Sequence, residues 1–150
     1  MAVNKHHHKH NLLFDVVTCM DFLEHVSQPE VVLKEIARVL KPGGTFFFHT
    51  FNRNWLAWLV VIKGVEWFVK NTPKHLHILE MFIKPSELMK MMKPLGFKLR
   101  DLRGLRPQLN YSFLKMLFYG KVDDDFKFIW TRSTWMSYTG WAKKEEASLN

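Results

Sequence analysis

Three side chains able to bind a metal or transfer a proton lie close together near the start of the sequence. Asp21, Glu24 and His25 stand at positions i, i+3 and i+4, and they share one face if the backbone there is helical. Two carboxylates and an imidazole can hold a divalent cation, and Mg²⁺ is the natural candidate at an open site with oxygen donors. On spacing alone a structural interpretation is favoured, because an acidic residue near a helix start and a hydrogen-bonded His are both commonplace.

A strand, a helix and a second strand are predicted to position these side chains. Residues 13–19 form a short, β-branched apolar run, which indicates a buried strand. Ser27 precedes Glu30 by three residues, with Pro29 in the first turn, so a helix with a capping box should begin here. Thr45–Thr50 is a second β-favouring run. A right-handed crossover makes the two strands parallel neighbours and places the three side chains where α/β sheets bind ligands. The apolar face of the helix is predicted to consist of Val32, Ile36, Val39 and Leu40. The turn that ends the helix is predicted at Pro42, Gly43 and Gly44.

The same region carries the motifs of a known family. In order, the motifs are DVVTCMDFLEHV at 15–26, VLKPGGTFFF at 39–48, HTFNRN at 49–54 and FIKP at 82–85. The first two resemble the fourth strand, following helix and fifth strand of class I S-adenosylmethionine-dependent methyltransferases. The ordered set is similar to the ubiquinone-biosynthesis O-methyltransferases, which methylate hydroxyls of polyprenylated catechols and hydroquinones. The resemblance extends from Phe14 to about Leu105.

The resemblance implies a cofactor, a reaction and residue roles. Met20 matches the position that contacts S-adenosylmethionine, with a gap-filling core Met as the alternative. The three-residue cluster matches one that binds Mg²⁺ in the eukaryotic members. In the implied reaction a catechol hydroxyl attacks the sulfonium methyl group, helped by a metal or by His25 as ligand or base. His77 matches a second family His, but the acidic residue that usually follows it is Ile78 here, and a surface His is the alternative.

The expected fold is α/β: a partial class I methyltransferase (Rossmann-like) sheet that lacks the first strands and has an inserted amphipathic helix. The family's glycine-rich cofactor loop and the acidic residue after its second strand have no counterpart before Phe14. We therefore expect residues 12–141 to be the C-terminal part of a methyltransferase domain, between a His-rich tail at 1–11 and a polar tail at 142–150. The first strand should then leave an open sheet edge, and the missing loop should impair activity.

The most apolar segment is expected to contact a membrane. Within residues 55–70, Lys63, Glu66 and Lys70 form a narrow polar stripe on a helix rich in Trp. The apolar run is shorter than the roughly 20 residues of a spanning helix, but it can lie in the headgroup region. Packing into the protein's own core is the alternative. A polyprenylated substrate partitions into bilayers, which favours the membrane interpretation.

Composition narrows the class of partner. The chain has 150 residues, of which 47% are hydrophobic, enough for a sizeable core. Cys19 is the single cysteine, so no internal disulfide forms. The net charge of +8 permits binding to anionic membranes or nucleic acid, and no motif favours nucleic acid. With the resemblance, we expect the cytoplasmic face of a bacterial membrane, or the matrix side of the mitochondrial inner membrane in a eukaryote, with other ubiquinone-biosynthesis proteins as partners.

The C-terminal half is predicted to contain one helix and three strands. Residues 85–93 have Pro at the first helical position and Gly96 as terminator, and the strands are expected at 97–104, 126–130 and 135–141. The segment between Arg106 and Asp125 is expected to be irregular. The buried face of the helix is predicted to consist of Leu88, Met91, Met92 and Leu95.

Overall fold

The structure is a computed structural model, and it describes residues 13–58, 81–119 and 123–145. These residues form a five-stranded mixed sheet with the strand order β1-β2-β5-β3-β4. The strands are β1 (Phe14–Met20), β2 (Leu40–Phe51), β3 (Phe97–Pro107), β4 (Phe128–Thr131) and β5 (Ser137–Lys144). The helices are α1 (Pro29–Val39), α2 (Trp55–Trp58), α3 (Pro85–Met92) and α4 (Tyr111–Tyr119), with 3₁₀ turns at Leu23–His25 and Lys93–Leu95.

The first two strands lie side by side in parallel and are joined through α1, as the sequence predicts. Val17 of β1 pairs with Phe46 of β2, and Met20 pairs with His49. β5 lies antiparallel between β2 and β3. Among the described strands β1 has β2 as its single neighbour. The expected α/β class is confirmed.

The start of α1 differs from the predicted capping box. Gln28 occupies the N-cap position, and no side chain caps the first turn. Pro29 is the first helical residue, where its missing N–H costs nothing. Ser27 therefore stands one residue too early to act as the cap, and the predicted pairing of Ser27 with Glu30 is wrong.

The end of α1 also differs from the prediction. The helix ends at Val39, and the backbone of Leu40 is already extended. Gly43 has a φ of 74°, a left-handed conformation that glycine adopts without strain. A Cβ at Gly44 would lie 2.8 Å from the Leu40 side chain. The two glycines therefore lie within β2, in the irregular stretch between Leu40 and Thr45 where the pairing with β1 shifts, instead of capping the helix.

One face of the sheet, here the core face, packs against α1 and α3. The rings of Phe46 and Phe48 lie 5.5 Å apart on this face, in one buried cluster with Leu33 of α1 and Leu88 of α3. Full burial of each such side chain contributes on the order of 2 kcal/mol. Leu88 and Met92 are almost completely buried, so the predicted core-facing side of α3 is confirmed.

Successive residues of a strand point to opposite faces, so β1 and β2 also present a second face. Val16, Met20 and Phe47 lie on this face and are 52%, 48% and 39% exposed. His49 lies on the same face next to Met20, but it is only 7% exposed. Within the described residues the second face is therefore apolar and largely open, except around His49.

Residues 106–125, predicted to be irregular, contain a helix. In α4 the side-chain Oδ1 of Asn110 accepts a hydrogen bond from the backbone N–H of Phe113 at 3.0 Å, which caps the helix start. The exposed aromatic residues of α4 obscured its pattern in the sequence, because Tyr111, Phe118 and Tyr119 are all more than 70% exposed.

The last strand is longer than predicted. β5 extends to Lys144, so residues 142–144 belong to the sheet and not to the polar tail. Lys144 Nζ donates to the carbonyl oxygens of Ala37 at 2.6 Å and Leu40 at 2.9 Å. A cation at the end of α1 suits the exposed carbonyls and the negative end of the helix dipole, and this contact holds the end of β5 in place.

The apolar segment at residues 55–70 is described only at its start. In α2 the backbone N–H of Ala57 donates to Asn54 Oδ1 at 2.9 Å, and Trp55 is 71% exposed. Residues 59–80, with most of the predicted amphipathic helix, lie outside the described residues, and so does the predicted His-rich tail at 1–11. None of the helices in the described ranges is both long and apolar enough to cross a bilayer.

Candidate active site

The ends of β1 and β2 lie side by side at the edge where α/β sheets bind their ligands. Met20 is the last residue of β1, and it pairs with His49 of β2. Its side chain is 48% exposed on the second face, which excludes the interpretation as a gap-filling core residue. Met20 is therefore accessible to a ligand at this edge, and its predicted contact with S-adenosylmethionine stays a prediction.

Asp21 turns the chain immediately after β1. Its φ of 49° lies in the left-handed region, where a residue other than glycine is uncommon. The backbone N–H of Asp21 donates to the carbonyl oxygen of His49 at 3.2 Å, which continues the strand pairing by one residue. The turn brings the Asp21 carboxylate next to the His49 ring.

Asp21 and His49 form a close side-chain pair. His49 Nδ1 lies 2.6 Å from Asp21 Oδ1. An ionised carboxylate only accepts hydrogen bonds, so Nδ1 carries the hydrogen and donates it. The Asp21 side chain is 60% exposed, whereas that of His49 is 9% exposed. The second ring nitrogen of His49, Nε2, is buried and has no hydrogen-bond partner among the described residues.

Glu24 lies on the opposite side of β2, in the core. The 3₁₀ turn that carries it is anchored by Leu23, which is fully buried, and Glu24 itself is 2% exposed. Thr50 Oγ1 donates to Glu24 Oε2 at 2.8 Å. The other carboxylate oxygen, Oε1, is buried without a partner in the described part of the chain. Burial of a carboxylate that has a hydrogen bond on only one of its oxygens lowers the stability of the folded chain.

The Glu24 carboxylate influences two neighbouring groups on the core face. Burial, and then the charge of Glu24, raise the pKa of the Cys19 thiol to about 11. Burial, and then the charges of Glu24 and Glu87, raise the pKa of the Tyr138 hydroxyl well above its ordinary value. The Tyr138 hydroxyl donates to the carbonyl oxygen of Ile83 at 2.8 Å. Both groups therefore stay protonated at neutral pH.

The described residues do not support the predicted Mg²⁺ site at Asp21, Glu24 and His25. Asp21 bonds to His49 and Glu24 bonds to Thr50, and these adjacent residues of β2 point to opposite faces of the sheet. His25 is exposed. In the described ranges no group of three or more His, Cys, Asp or Glu side chains is arranged to hold a metal ion. The spacing argument failed because the 3₁₀ turn begins two residues after Asp21, so the three residues never share a helical face.

Of the two predicted base candidates, the structure describes one. His25 lies at the end of the 3₁₀ turn and is exposed, whereas His77 lies outside the described residues. Sequence reasoning missed His49 and Thr50. A signal was present, because these two polar residues interrupt an apolar strand immediately after three phenylalanines.

A cavity of about 930 Å³ opens near the same end of the sheet. Phe82 in its wall stacks on Phe51 with ring centroids 5.4 Å apart, and Phe51 meets the His49 ring edge-on at 5.7 Å. The ion pair between Arg53 and Glu87 also lines the cavity. The cavity thus combines apolar walls with charged groups, and two aromatic rings connect it to His49.

Comparison with known proteins identifies the relatives of this chain. Residues 2–102 match a family model described as a methyltransferase domain. A ubiquinone biosynthesis O-methyltransferase from Klebsiella pneumoniae is 45% identical over 104 residues, which are 69% of this chain and 43% of that protein. A protein of the same name from Escherichia coli is 43% identical over 69% of this chain and 43% of that protein. Another from Pectobacterium atrosepticum is 41% identical over 72% of this chain and 45% of that protein. The chain spans less than half the length of these curated relatives.

Solved structures agree on the fold. An S-adenosylmethionine-dependent methyltransferase from Thermotoga maritima matches with a TM-score of 0.54 at 19% identity, over 89% of this chain and 57% of that chain. One from Methanosarcina mazei matches with a TM-score of 0.50 at 17% identity, over 89% and 60%. The expected partial class I methyltransferase sheet is therefore confirmed. Because the family model also covers more than half of the sequence, the chain belongs to the methyltransferase domain family.

Proposed function

We propose that this protein transfers a methyl group from S-adenosylmethionine to a hydroxyl of a polyprenylated catechol or hydroquinone in ubiquinone biosynthesis. The observation that carries the proposal is the 41–45% identity to ubiquinone biosynthesis O-methyltransferases over about 70% of the chain. Since the chain spans less than half of those relatives, the activity is proposed from the part that they share.

The described residues fit one wall of a cofactor site. S-adenosylmethionine supplies an electrophilic methyl group when bound, and Met20 is the proposed contact because its side chain is exposed at the end of β1. The described ranges contain no glycine-rich loop between a parallel strand and the helix that follows it. We assign no role to Mg²⁺ in the proposed reaction, because its predicted ligands do not meet in the described part of the chain.

The cavity near His49 is the proposed site for the acceptor. Its volume of about 930 Å³ is in the range of pockets that hold small ligands. Phe82 and Met91 in its wall offer apolar contacts for an aromatic ring and the first prenyl unit, and the Arg53–Glu87 pair offers polar ones. An acceptor with one hydrophobic end and one hydroxylated end fits such a lining.

The test uses the purified chain, S-adenosylmethionine with a labelled methyl group, and a catechol with one or two prenyl units. We expect a labelled methyl ether, and weaker cofactor binding by Met20→Glu, which introduces a charge at the proposed contact. Val31→Glu is the matched control, because Val31 is similarly exposed, at 50%, on α1. Absence of both cofactor binding and methyl transfer in the wild-type chain would contradict the proposal.

A second candidate function is non-catalytic association with a membrane or a partner protein through residues 55–70. The exposure of Trp55, at 71%, supports it. Sedimentation with vesicles that contain anionic lipid tests this candidate, and we expect Trp55→Glu to weaken any binding. Vesicle binding without cofactor binding would favour this candidate over the enzyme.

The proposed substrate also sets the expected surroundings. A polyprenylated acceptor resides in a bilayer, so the protein should work at a membrane surface, either the cytoplasmic face in a bacterium or the matrix side of the mitochondrial inner membrane. Other ubiquinone-biosynthesis proteins are the expected partners, and nucleic acid is not. A methyltransferase that acts on another lipid-like substrate is a third possibility, which the choice of acceptor in the same assay distinguishes.

A further inference from the structure

We infer that His49 is the proton acceptor for the hydroxyl that is methylated, and that Asp21 positions its ring. This role rests on the proposed methyl transfer and adds to it a residue that the family resemblance did not indicate. Three features of the molecule support it: an unpartnered buried nitrogen, the position of the ring in the sheet, and the carboxylate behind it.

The first feature is His49 Nε2, which is buried and has no hydrogen-bond partner within the described ranges. Native structures satisfy most buried polar atoms, so an exception demands an explanation such as a catalytic role or a bound group. Packing alone does not explain an imidazole here, because the neighbouring positions on this face of β2 are Phe47 and Phe51. A hydroxyl that donates to Nε2 would satisfy it.

The second feature is the position of the ring. His49 pairs with Met20, the predicted cofactor contact, at the carboxyl ends of two parallel strands, and the two side chains share the second face. On its other side, the ring meets Phe51, which stacks on Phe82 in the cavity wall. His49 is therefore next to the proposed cofactor contact and is linked to the wall of the proposed acceptor cavity through the Phe51 ring, although it does not itself line that cavity.

The third feature is the carboxylate of Asp21. It holds the hydrogen on Nδ1 across a distance of 2.6 Å, so the lone pair of a neutral ring is on Nε2. The left-handed turn at Asp21 and its backbone bond to the His49 carbonyl fix the carboxylate in this position. Backbone strain of this kind is concentrated at functional sites.

In the reaction, the hydroxyl oxygen forms a bond to the methyl carbon while the bond between that carbon and sulfur breaks, and its electron pair goes to sulfur. The hydroxyl proton passes to His49 Nε2. The positive charge that leaves sulfur thus ends on the imidazolium, next to the negative charge of Asp21. Such positioned bases contribute about 10²- to 10⁴-fold to rate.

The charged surroundings of His49 are simple. Asp21 faces the ring from the end of β1, and the uncharged Thr139 pairs with His49 from β5. Arg103 of β3 lies one strand further, where it pairs with Asp101. Within the described ranges Asp21 is therefore the ionisable side chain that is hydrogen-bonded to the ring, and its replacement should change the properties of the ring most.

The experiment compares His49→Asn with the wild-type chain in the methyl-transfer assay. The Asn amide can still donate to Asp21 but has no basic nitrogen at the position of Nε2. We expect kcat to fall about 100-fold or more, with the cofactor Kd and the acceptor KM little changed. The wild-type rate should fall at low pH, because a protonated ring cannot accept a proton, and the variant should lose this dependence. Asp21→Asn should reduce kcat about tenfold.

Phe47→Leu, two residues earlier on the same face, controls for general disturbance of β2 and should keep the wild-type pH profile. If His49→Asn does not fold, the wild-type chain supplies the test through NMR of the His49 ring nitrogens: adding S-adenosylhomocysteine and 4-methylcatechol should shift the Nε2 signal. A wild-type rate and pH profile in His49→Asn, or an unchanged Nε2 signal when catechol binds, would overturn the role of His49 and leave the proposed function standing. A wild-type chain that neither binds the cofactor nor transfers methyl overturns the proposed function, and the role of His49 with it.

Discussion

Two carboxylates that are three residues apart in the sequence have opposite environments in the fold. Glu24 is 2% exposed and bonds to Thr50 on the core face, whereas the Asp21 side chain is 60% exposed and bonds to His49 on the second face. Their partners are adjacent residues of β2. Successive side chains of a strand point to opposite faces of the sheet. The comparison shows that this alternation, more than the spacing of residues along a turn, decides which polar side chains are buried in the core and which can contribute to a binding site.

Each face also contains a buried polar atom that lacks a hydrogen-bond partner among the described residues. On the core face, Glu24 has one oxygen without a partner among the described residues, and its charge adds to the effect of burial in raising the pKa values of Cys19 and Tyr138. On the second face the buried atom without a partner in the described part of the chain is His49 Nε2, at an edge where ligands bind. We expect the pair of Glu24 and Thr50 to contribute most to stability, and the pair of Asp21 and His49 to contribute most to activity.

The largest effect on stability is expected from Glu24→Ala compared with Asp21→Ala. Loss of Glu24 leaves a cavity in the core and an unpaired Thr50 hydroxyl, and it should lower the free energy of unfolding by about 2–4 kcal/mol. Loss of the exposed Asp21 side chain should change it by less than about 1 kcal/mol. Urea denaturation of both variants gives the two values. Equal losses would break the distinction between the two faces.

A smaller effect is expected from Tyr138→Phe compared with Thr139→Val, two adjacent residues of β5 on opposite faces. Tyr138→Phe leaves the Ile83 carbonyl without its hydrogen bond, and this should cost about 1–2 kcal/mol. The half-buried Thr139 keeps its shape in valine, and we expect a change below about 0.5 kcal/mol. Thermal denaturation followed by circular dichroism measures both, and a larger loss for Thr139→Val would contradict the assignment of faces.

Deprotonation of Cys19 at high pH is expected to lower the free energy of unfolding by an amount on the order of 1 kcal/mol. Its pKa is raised from 9.0 to about 11 in the fold, so its contribution to stability is fully present below pH 9 and is lost as the pH rises to about 11. The wild-type chain should therefore lose more stability between pH 8 and 11 than Cys19→Ala does. Glu24→Gln should lower the Cys19 pKa, measured by the pH dependence of thiol alkylation, because it removes one cause of the shift. Parallel stability curves for wild type and Cys19→Ala would show that the thiol is not coupled to folding.

The smallest effect on stability is expected from the addition of Mg²⁺. Because the carboxylates of Asp21 and Glu24 leave opposite faces, millimolar MgCl₂ should leave the melting temperature of the chain unchanged, compared with an equal ionic strength of NaCl. A rise in melting temperature that Glu24→Gln removes would show that the carboxylates do meet around a cation.

Local signals predicted much of the fold. The β-branched run before Met20, the proline at the start of α1 and the apolar strand after the Pro-Gly-Gly turn were enough for the parallel strand-helix-strand unit. Pro85 and Gly96 likewise marked α3 and the 3₁₀ turn that follows it. Such elements are readable because each depends on residues close together in the sequence.

The site was less predictable, because its contacts join distant residues. Asp21 and His49 are separated by 28 positions, and Glu24 and Thr50 by 26. Their pairing depends on the register of β1 against β2 and on the left-handed turn at Asp21, and neither follows from composition or periodicity. The resemblance pointed to the correct edge of the sheet, but it could not indicate which face each carboxylate would take.

The two bonds from Lys144 to the carbonyl oxygens of Ala37 and Leu40 have a practical consequence for anyone who shortens the chain. Trimming after Trp141, where the polar residues begin, would remove the ammonium group that neutralises the last turn of the first helix. The same cut would deprive Phe46 of its neighbour Ala142 across the sheet. A shortened chain should therefore keep residues 142–144, even though composition alone recommends an earlier boundary.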